Sequence, residues 1–323
     1  MPRILIDGTN LLVRAHHATG ALTFPDGRPS GAAWGALRSI LHFVQRFATA
    51  EAPRFRGVSV AFDGGRSERR LELLPTYKAH RTANLSAAER DERREALDHQ
   101  EGVLCHLLAL AGADCHKARR VEADDVLAVL AEAFGPLHGV ILISGDEDFR
   151  QLIGRVDGFA LVKPDGAKVE KFGDHPEKLS GVRWLAYRAL CGDASDGIAG
   201  VPGVGAKRAE AVVDWLGDGM KTPEELAYRL ETSWPKDRET LPRNLKQALA
   251  AIEKSPDALA IFERNLAMMD LARSSYWPEV LEAAERPRFP GNAKLREFRS
   301  EVSRLGWDRS IGPLAVAIRA FGP

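Results

Sequence analysis

Three apolar segments that each lead into aspartate constrain the fold of this chain more than any other feature. They cover residues 3–8, 56–64 and 139–148, and helical segments follow the first and the third. Such strands, alternating with helices, are typical of a parallel sheet covered on both faces, so we expect an α/β fold. Binding sites in these folds lie at the carboxyl ends of the strands. The aspartates at those ends are Asp7, Asp63, Asp146 and Asp148.

A second group of carboxylates opens a predicted helix. Glu122, Asp124 and Asp125 precede residues 126–131, whose apolar spacing is helical. In that helix Glu122 and Asp125 share one face, and Asp124 is turned partly away. Acidic residues stabilise helix N-termini through the helix dipole, and for one isolated cluster this explanation is sufficient. One or two carboxylates would suffice for a cap, however, so the cluster and the strand-end aspartates together favour a functional site.

Clustered carboxylates without histidine or cysteine indicate a site for hard divalent cations. Magnesium takes oxygen ligands and is commonly held by carboxylates opposite phosphate oxygens. Two such ions about 3.5–4 Å apart can activate a water molecule and stabilise a leaving oxygen. We therefore expect two Mg²⁺ ions, for which Mn²⁺ can substitute, and phosphoryl-transfer chemistry. Calcium storage is less favoured, because the sequence has no D-x-D-x-D-G loop with a closing glutamate.

A basic segment lies between the second and third acidic groups. Residues 66–81 contain five lysines or arginines and two glutamates. Lys78 and Arg81 are spaced i, i+3 beside Tyr77, an arrangement that can hold a phosphate and stack a base. A solvated charged loop is the alternative interpretation. Residues 87–106 are highly charged and predict an exposed helix, which can be a substrate guide or a mere decoration.

A helix, a glycine-rich turn and a second helix follow at residues 182–191, 192–205 and from 206 onwards. Gly203 and Gly205 allow the backbone to approach a phosphate closely, and the new helix offers free N–H groups to it. Lys207 adds a positive charge at the helix start. We expect this turn to grip the duplex backbone and not to read bases. A dinucleotide-binding motif is disfavoured, because a helix precedes the turn where a strand is required.

Composition narrows the class of protein. The chain has 45 basic and 45 acidic residues, and this balance argues at first against a nucleic-acid partner, although equal totals can hide separated charges. Its three cysteines form no C-x-x-C pair, which fits a reducing compartment without disulfides or a zinc site. The N-terminus has neither a basic region nor a long apolar stretch, so we expect no signal peptide and no membrane span.

Taken together, these motifs resemble the 5′-nuclease family, which comprises phage 5′-exonucleases, the 5′-nuclease domain of bacterial DNA polymerase I and flap endonucleases. The resemblance extends over about residues 1–216, and its motifs are individually modest but jointly very specific. Gly197 and Ala199 depart from the usual Asn and Pro, which affects the turn and no acidic residue. The matching stretches, in the family's order, are Ile6–Asn10, Phe62–Gly64, Tyr77–Arg81, Glu122–Asp125, Gly145–Asp148 and Gly192–Asp196.

The resemblance implies that the acidic residues serve two metal ions, and all nine of the family's acids are present. Asp125 and Asp196 would act through water or through another ligand. It also implies a potassium ion, held by backbone carbonyls of the turn at 192–205. We expect Asp7, Asp63, Glu122 and Asp124 to hold the first divalent ion, and Asp124, Asp146, Asp148 and Asp193 to hold the second.

The resemblance further implies the reaction. The expected enzyme is a structure-specific 5′-nuclease, acting as flap endonuclease and 5′-3′ exonuclease near single-strand/duplex junctions in DNA replication and repair. Its substrates would be DNA with a 5′ flap or a 5′ end at a junction, with RNA–DNA primers as a further class. The products would carry a 5′-phosphate and a 3′-hydroxyl, and Lys78 and Arg81 would neutralise the scissile phosphate. We expect a monomer in the cytoplasm of a bacterial or phage-infected cell.

Two regions are predicted. Residues 1–179 would form a PIN-like nuclease domain with a helical arch at about 76–106. Residues 180–323 would form a helical DNA-binding region, with a helix-3-turn-helix motif at about 183–216. The tail at 286–309 carries seven basic and three acidic residues interleaved with Phe289, Phe298 and Trp307. It would either contact DNA or form a helical cap whose basic face is solvated.

Two other functions remain open at this stage. A PIN-type ribonuclease shares the acidic sheet edge but normally lacks both the arch and the glycine-rich turn. A non-catalytic DNA-binding protein would have lost carboxylates, and none is lost here. No polymerase domain follows in the sequence, so a stand-alone nuclease is expected.

Overall fold

The structure is a computed structural model, and it describes residues 2–19, 22–49, 57–82, 86–164, 169–171, 179–217, 222–232, 239–274 and 276–314. The strands are β1 (Arg3–Asp7), β2 (Val58–Ala61), β3 (Asp114–His116), β4 (Val140–Ile143), β5 (Phe159–Val162), β6 (Val169–Lys171), β7 (Gly192–Asp193) and β8 (Ile198–Ala199). The α-helices are α1 (Gly8–Ala18), α2 (Gly31–Thr49), α3 (Glu68–Leu73), α4 (Ala87–Ala111), α5 (Ala123–His138), α6 (Gly181–Cys191), α7 (Ala206–Leu216), α8 (Pro223–Thr232), α9 (Arg243–Lys254), α10 (Ala258–Met269), α11 (Leu271–Ser274), α12 (Pro278–Glu285), α13 (Leu295–Arg304) and α14 (Asp308–Ile311). Short 3₁₀ helices lie at Ala79–Thr82 and Asp148–Leu152.

The central sheet has the strand order β3-β2-β1-β4-β5-β6. The first five strands in the chain pair in parallel, and β6 pairs antiparallel with β5. The two-residue strands β7 and β8 form a separate antiparallel pair. The predicted mostly parallel sheet is therefore confirmed. β1 lies at the middle of the sheet, between β2 and β4, so that the aspartates at the ends of these three neighbours meet at one edge.

Helices cover both faces of the sheet. Ile4 and Ile6 of β1 belong to the core formed with α1, α2, α4 and α13, whereas Leu5 belongs to the opposite core formed with α5, α11 and α12. Successive residues of a strand point to opposite faces, and here both faces are buried. This explains why the three middle residues of the strand, 4 to 6, are all apolar and do not alternate with polar ones.

A second, helical body packs beside the sheet. Helices α6 to α10 enclose their own core, and large buried side chains such as Leu185, Val212, Leu249 and Phe262 fill it. Helix α6 packs against the 3₁₀ helix at Asp148–Leu152, which follows β4. The helical body is thereby fixed next to the carboxyl edge of the sheet.

The chain returns to the sheet after α10. Helices α11 and α12 pack on α5, and α13 packs on α4, so the core contacts do not follow the predicted division near residue 180. Phe298 and Trp307 of the tail are buried in the sheet core, at 0% and 6% exposure. Their aromatic rings are structural, which favours the helical-cap interpretation of the tail. The domain boundary itself stays a prediction.

Helix α4 contains the predicted charged excursion and is longer than expected. A capping box between Ser86 and Glu89 starts it, and its first half is mostly exposed and charged. Leu104, Leu107 and Leu108 in its second half are fully buried in the sheet core. The charged half alone therefore corresponds to the expected arch. Among the described residues, we find no helix with the length and apolar character needed to cross a bilayer.

The burial of Phe298 predicts that the tail stabilises the sheet. Phe298→Ala should lower the free energy of unfolding by about 3–5 kcal/mol, because it removes a fully buried ring and leaves a cavity. Urea unfolding measures this change. Arg299→Ala, at an exposed position of the same helix, is the matched control and should change stability by about 0.5 kcal/mol or less. Equal effects of the two substitutions would mean that α13 does not pack as described.

Candidate active site at the carboxyl edge of the sheet

A cleft of about 460 Å³ opens where the carboxyl ends of the central strands meet the helical body. Eight of the nine predicted carboxylates line it, together with Lys78, Arg81 and Arg188. Asp125 is the exception, because it is fully buried behind the cleft wall. The structure thus brings together residues from six separate stretches of the sequence. The predicted carboxylates that line it are Asp7, Asp63, Glu122, Asp124, Asp146, Asp148, Asp193 and Asp196, and Glu147 lines it as well.

Asp7 and Asp63 are held by hydrogen bonds to neutral groups. Asp7 ends β1 and caps α1, accepting hydrogen bonds from the backbone of Asn10 at 2.9 Å and from the hydroxyl of Ser144 at 2.8 Å. Asp63 accepts a hydrogen bond from the backbone of Ala123 at 2.8 Å. Burial raises the pKa of Asp7 to about 7 and that of Asp63 to about 6. Within the described residues, neither carboxylate forms an ion pair.

A buried arginine holds the acidic start of α5. Arg70 of α3 donates from Nη1 to Glu122 at 2.9 Å and binds Asp125 through both terminal nitrogens at 2.8 and 2.7 Å. Its Nε donates to the backbone carbonyl of Met268 at 2.8 Å. All three nitrogens of the guanidinium are therefore held by groups of the folded chain. Glu122 and Asp125 share this partner while Asp124 faces the cleft, as the helix geometry predicts. Burial opposes the charge on Glu122, but Arg70 and Lys78 lower its pKa to about 2.

Tyr77 corrects one expectation from the sequence. Its side chain is buried in the helical core, with 2% exposure. The hydroxyl donates to Glu122 at 2.8 Å and lies 3.3 Å from Asp196. The expectation that Tyr77 stacks on a nucleic-acid base is therefore wrong, because the ring has no free face. The tyrosine instead positions a carboxylate, which its sequence neighbours Lys78 and Arg81 did not indicate.

Lys78 and Arg81 lie in the cleft but are paired with carboxylates. Lys78 Nζ lies 2.9 Å from Glu122 and 3.8 Å from Asp196. The Lys78 backbone is left-handed, with φ 56°, and its N–H donates to the carbonyl of Asp196 at 2.8 Å. Such a conformation costs a non-glycine residue about 1–2 kcal/mol, so these contacts hold it in place. Arg81 is half exposed, forms an ion pair with Asp196 and donates to the carbonyl of Ser195 at 3.1 Å.

The remaining acids meet across the junction between sheet and helical body. Asp146 accepts a hydrogen bond from the backbone of Asp148 at 2.8 Å, in the turn after β4. Arg188 of α6 donates from Nε to Asp148 at 3.0 Å and from Nη2 to Asp193 at 2.5 Å. Burial and the charge of Asp146 raise the pKa of Asp148 to about 7, although Arg188 opposes that rise.

Sequence reasoning missed Arg70 and Arg188. Arg70 belongs to the basic segment that the sequence singled out, but nothing there separates it from its exposed neighbours. Arg188 lies in an otherwise largely apolar helix, five residues before Asp193. A charged residue in a largely apolar helix, so close to the predicted metal ligand Asp193, is a sequence signal that could have identified Arg188.

The glycine-rich turn predicted at 192–205 contains the strand pair β7 and β8, and its last residues, 200–205, lead from β8 to α7. Gly203 has φ +76°, and a Cβ there would lie 3.0 Å from the Ala251 side chain, so the fold itself requires this glycine. Gly205 has an ordinary φ of −87° and precedes α7, and a Cβ there would meet nothing within 4 Å. Packing within the described residues does not account for Gly205. Lys207 is exposed in the first turn of α7.

The donor chemistry of the cleft fits a hard divalent cation. Every donor is an oxygen, and the buried Asp7 and the half-buried Asp63 meet no counter-ion among the described residues. Among the described residues, no three carboxylate, histidine or cysteine side chains lie close enough together in this structure to hold a metal ion. Arginine or lysine instead binds one oxygen of each of Glu122, Asp148 and Asp193.

Sequence comparisons identify relatives of this chain. The 5′-3′ exonuclease of Mycobacterium tuberculosis is 32% identical over 230 residues, covering 66% of this chain and 70% of that protein. The DNA polymerase I of Pseudomonas aeruginosa is 35% identical over 230 residues, covering 68% of this chain. This chain spans 23% of the length of that polymerase.

Solved structures share the fold. The bacteriophage T5 D15 protein co-crystallised with metal ions aligns over 100% of both chains, with a TM-score of 0.62 and 21% identity. The T5 D15 flap endonuclease in a pseudo-enzyme-product complex with DNA and metal ions gives a TM-score of 0.64 at 20% identity, over 99% of this chain and 100% of that one.

The family described as "5′-3′ exonuclease, N-terminal resolvase-like domain" matches residues 2–175. This match covers more than half of the 323 residues. It includes the strand-end acids and the acidic start of α5, and the Mycobacterium tuberculosis relative extends the similarity beyond it. This chain therefore belongs to the 5′-3′ exonuclease family.

Proposed function

We propose that this chain is a metal-dependent, structure-specific 5′-nuclease that cleaves DNA phosphodiesters near single-strand/duplex junctions, as a flap endonuclease and 5′-3′ exonuclease. The observation that carries the proposal is the convergence of eight carboxylates on one cleft at the carboxyl edge of the sheet. The family membership supports it, as do the T5 D15 structures, which were crystallised with metal ions and, in one case, with DNA.

The carboxylates would divide between two divalent ions, Mg²⁺ or Mn²⁺. When bound, these ions would supply an activated water and neutralise charge on the leaving oxygen. Asp125 would act only through Arg70, because Arg70 takes both of its oxygens. The proposed first set is Asp7, Asp63, Glu122 and Asp124, and the second is Asp124, Asp146, Asp148 and Asp193.

Lys78 and Arg81 are proposed to bind the scissile phosphate. Both lie in the cleft and both are paired with carboxylates, so a phosphate would exchange for some of these partners. Arg81 is half exposed and can turn toward a substrate with little rearrangement. Lys78 keeps its place through its backbone hydrogen bond to Asp196.

The turn is proposed to hold the duplex. Gly203 shapes it, Gly205 leaves bare backbone facing solvent, and Lys207 adds an exposed charge. The free N–H groups at the start of α7 favour a phosphate there. A potassium ion at residues 192–205 would belong to this grip.

The proposed substrates are DNA with a 5′ flap or a 5′ end at a duplex junction, with RNA–DNA primers as a further class, and the proposed enzyme is a monomer. A ribonuclease of the PIN type is the alternative. End-labelled 5′-flap DNA and single-stranded RNA, each incubated with and without Mg²⁺, distinguish the two. Mg²⁺-dependent cleavage of the flap at its junction supports the proposal, and cleavage of the RNA alone contradicts it.

Removal of a carboxylate from the cleft should stop the reaction. Asp146→Asn should abolish cleavage of flap DNA in Mg²⁺ and preserve its binding in Ca²⁺, because the proposed duplex grip lies elsewhere. Single-turnover rates and binding isotherms measure the two effects. Asp157→Asn, at an exposed position outside the cleft, is the control and should cut normally. Near wild-type cleavage by Asp146→Asn would remove Asp146 from the site.

Lys78→Ala should lower the single-turnover rate by about 10²–10³-fold, as expected for loss of one preorganised electrostatic contact. Glu122 keeps Arg70 as a partner in this variant, and alanine suffers the same left-handed strain as lysine, so the fold should persist. Lys117→Ala is the control, since Lys117 is similarly half-buried and paired with Glu101 outside the cleft. A loss confined to duplex affinity would make Lys78 a docking residue.

Gly205→Val should weaken binding to the duplex part of a flap substrate more than binding to single strands. The side chain fits the free protein, so its effect should arise where a phosphate approaches the backbone. Gly312→Val, at a second position where a Cβ meets nothing within 4 Å, is the control. Thermal unfolding should confirm that both variants are folded.

Lys207→Ala should flatten the salt dependence of duplex affinity, by about 0.9 in the log–log slope for one lost phosphate contact. Affinity is measured against salt concentration in Ca²⁺, so that the substrate stays intact. Unchanged slope and affinity for Lys207→Ala, together with unchanged affinity for Gly205→Val, would show that the turn does not touch the duplex.

A further inference from the structure

The carboxylates of the cleft differ in how they are neutralised. Asp7, Asp63 and Asp146 form no ion pair within the described residues, and Asp124 has a single long contact of 3.9 Å with Arg70. The other cleft acids each meet at least one cation. Glu122 pairs with Arg70 and Lys78, Asp196 with Lys78 and Arg81, and Asp148 and Asp193 with Arg188.

Two of these cations are arginines that differ in how they are held. Arg70 has a side-chain exposure of 3% and donates to two carboxylates and to the carbonyl of Met268, so it is locked into the fold. Arg188 has a side-chain exposure of 24%, and among the described residues it pairs with two carboxylates, Asp148 and Asp193. A partly exposed guanidinium with only carboxylate partners can leave them for water, whereas a buried one cannot.

Arg188 also spans the boundary between the two bodies of the fold. It projects from α6 of the helical body, one of its carboxylates follows β4 of the sheet, and the other lies on β7. The guanidinium bonds directly to carboxylate oxygens that the proposed second ion would need. A divalent cation and Arg188 would therefore exclude each other at these oxygens.

We propose that Arg188 is a built-in counter-ion that competes with a divalent cation for Asp148 and Asp193, so that the two ions bind with unequal affinity. The first ion binds in the proposed first set, where Asp7 and Asp63 have no counter-ion among the described residues and Asp124 has only a contact of 3.9 Å with Arg70. The second binds after Arg188 has turned away. This inference rests on the proposed metal-dependent function. It adds that the two ions bind in order and that Arg188 determines this order.

Metal titration of the full chain without DNA tests the proposal. Mn²⁺ is added to metal-free protein, and free Mn²⁺ is measured by its paramagnetic resonance signal. Wild-type protein should bind one ion tightly and one weakly. Arg188→Met should lower the dissociation constant of the weakly bound ion by about ten-fold, because this ion no longer has to break a charged hydrogen bond. The tight step should change less than two-fold.

Two further variants separate competition from a structural role. Arg188→Lys retains the charge and should restore the weak second step. Arg183→Met removes an arginine of the same helix that pairs with Asp214, and it should bind both ions as the wild type does. If Arg188→Met leaves the second affinity unchanged, or weakens it, the competition is overturned. Weaker binding of the second ion would mean that Arg188 positions the two carboxylates for it.

The wild-type protein provides a measurement that does not depend on a variant folding. The Nε–H group of Arg188 is followed by ¹⁵N NMR as Mg²⁺ is added, with its signal assigned by its absence in Arg188→Lys. The signal should stay constant through the first binding step and shift during the second. A shift in the first step, or no shift, would overturn the proposal. Failure of the wild type to bind any ion and to cut flap DNA would instead refute the proposed function.

Discussion

Electrostatic repulsion between carboxylates gathered at one sheet edge is the constraint on which the rest of this structure depends. Buried like charges must be neutralised by protons, by cations or by metal ions. Protonation and pairing with cations both contribute here. Burial raises the pKa of Asp7 and Asp63, while arginines and lysines pair with most of the other acids. The exposed and the unpaired carboxylates remain available to bind a metal ion, and this makes the cleft a candidate metal-binding site.

Arg70 connects this electrostatic constraint to the packing of the whole chain. It links α3, the acidic start of α5 and the end of α10, so the wall of the cleft includes contributions from the sheet and from the helical body. Loss of one partner from a buried ion pair typically costs about 3–5 kcal/mol, because the other charge stays buried. Glu122 and Asp125 are therefore rigid parts of the fold, whereas Asp124 faces the cleft beside them.

Equal totals of acidic and basic residues hide a local pattern of charges at the cleft. Cations are interleaved with the acids at the cleft, where Lys78, Arg81 and Arg188 each contact a carboxylate. A phosphate, or a metal ion that binds Asp148 and Asp193, would replace some of these internal ion pairs. Charge totals taken from the sequence cannot reveal such pairing, because partners such as Arg70 and Asp125 are 55 residues apart in the chain.

The sequence by itself determined the parallel sheet and the convergence of the acids. Apolar strands that end in aspartate fix the strand direction, and in a parallel sheet their carboxyl ends share one edge. Tertiary structure alone decided that Tyr77 is buried, that Phe298 and Trp307 belong to the sheet core, and that Arg70 and Arg188 neutralise the acids. The physical reason is that periodicity records which face of an element is apolar, whereas these features depend on which distant elements pack together.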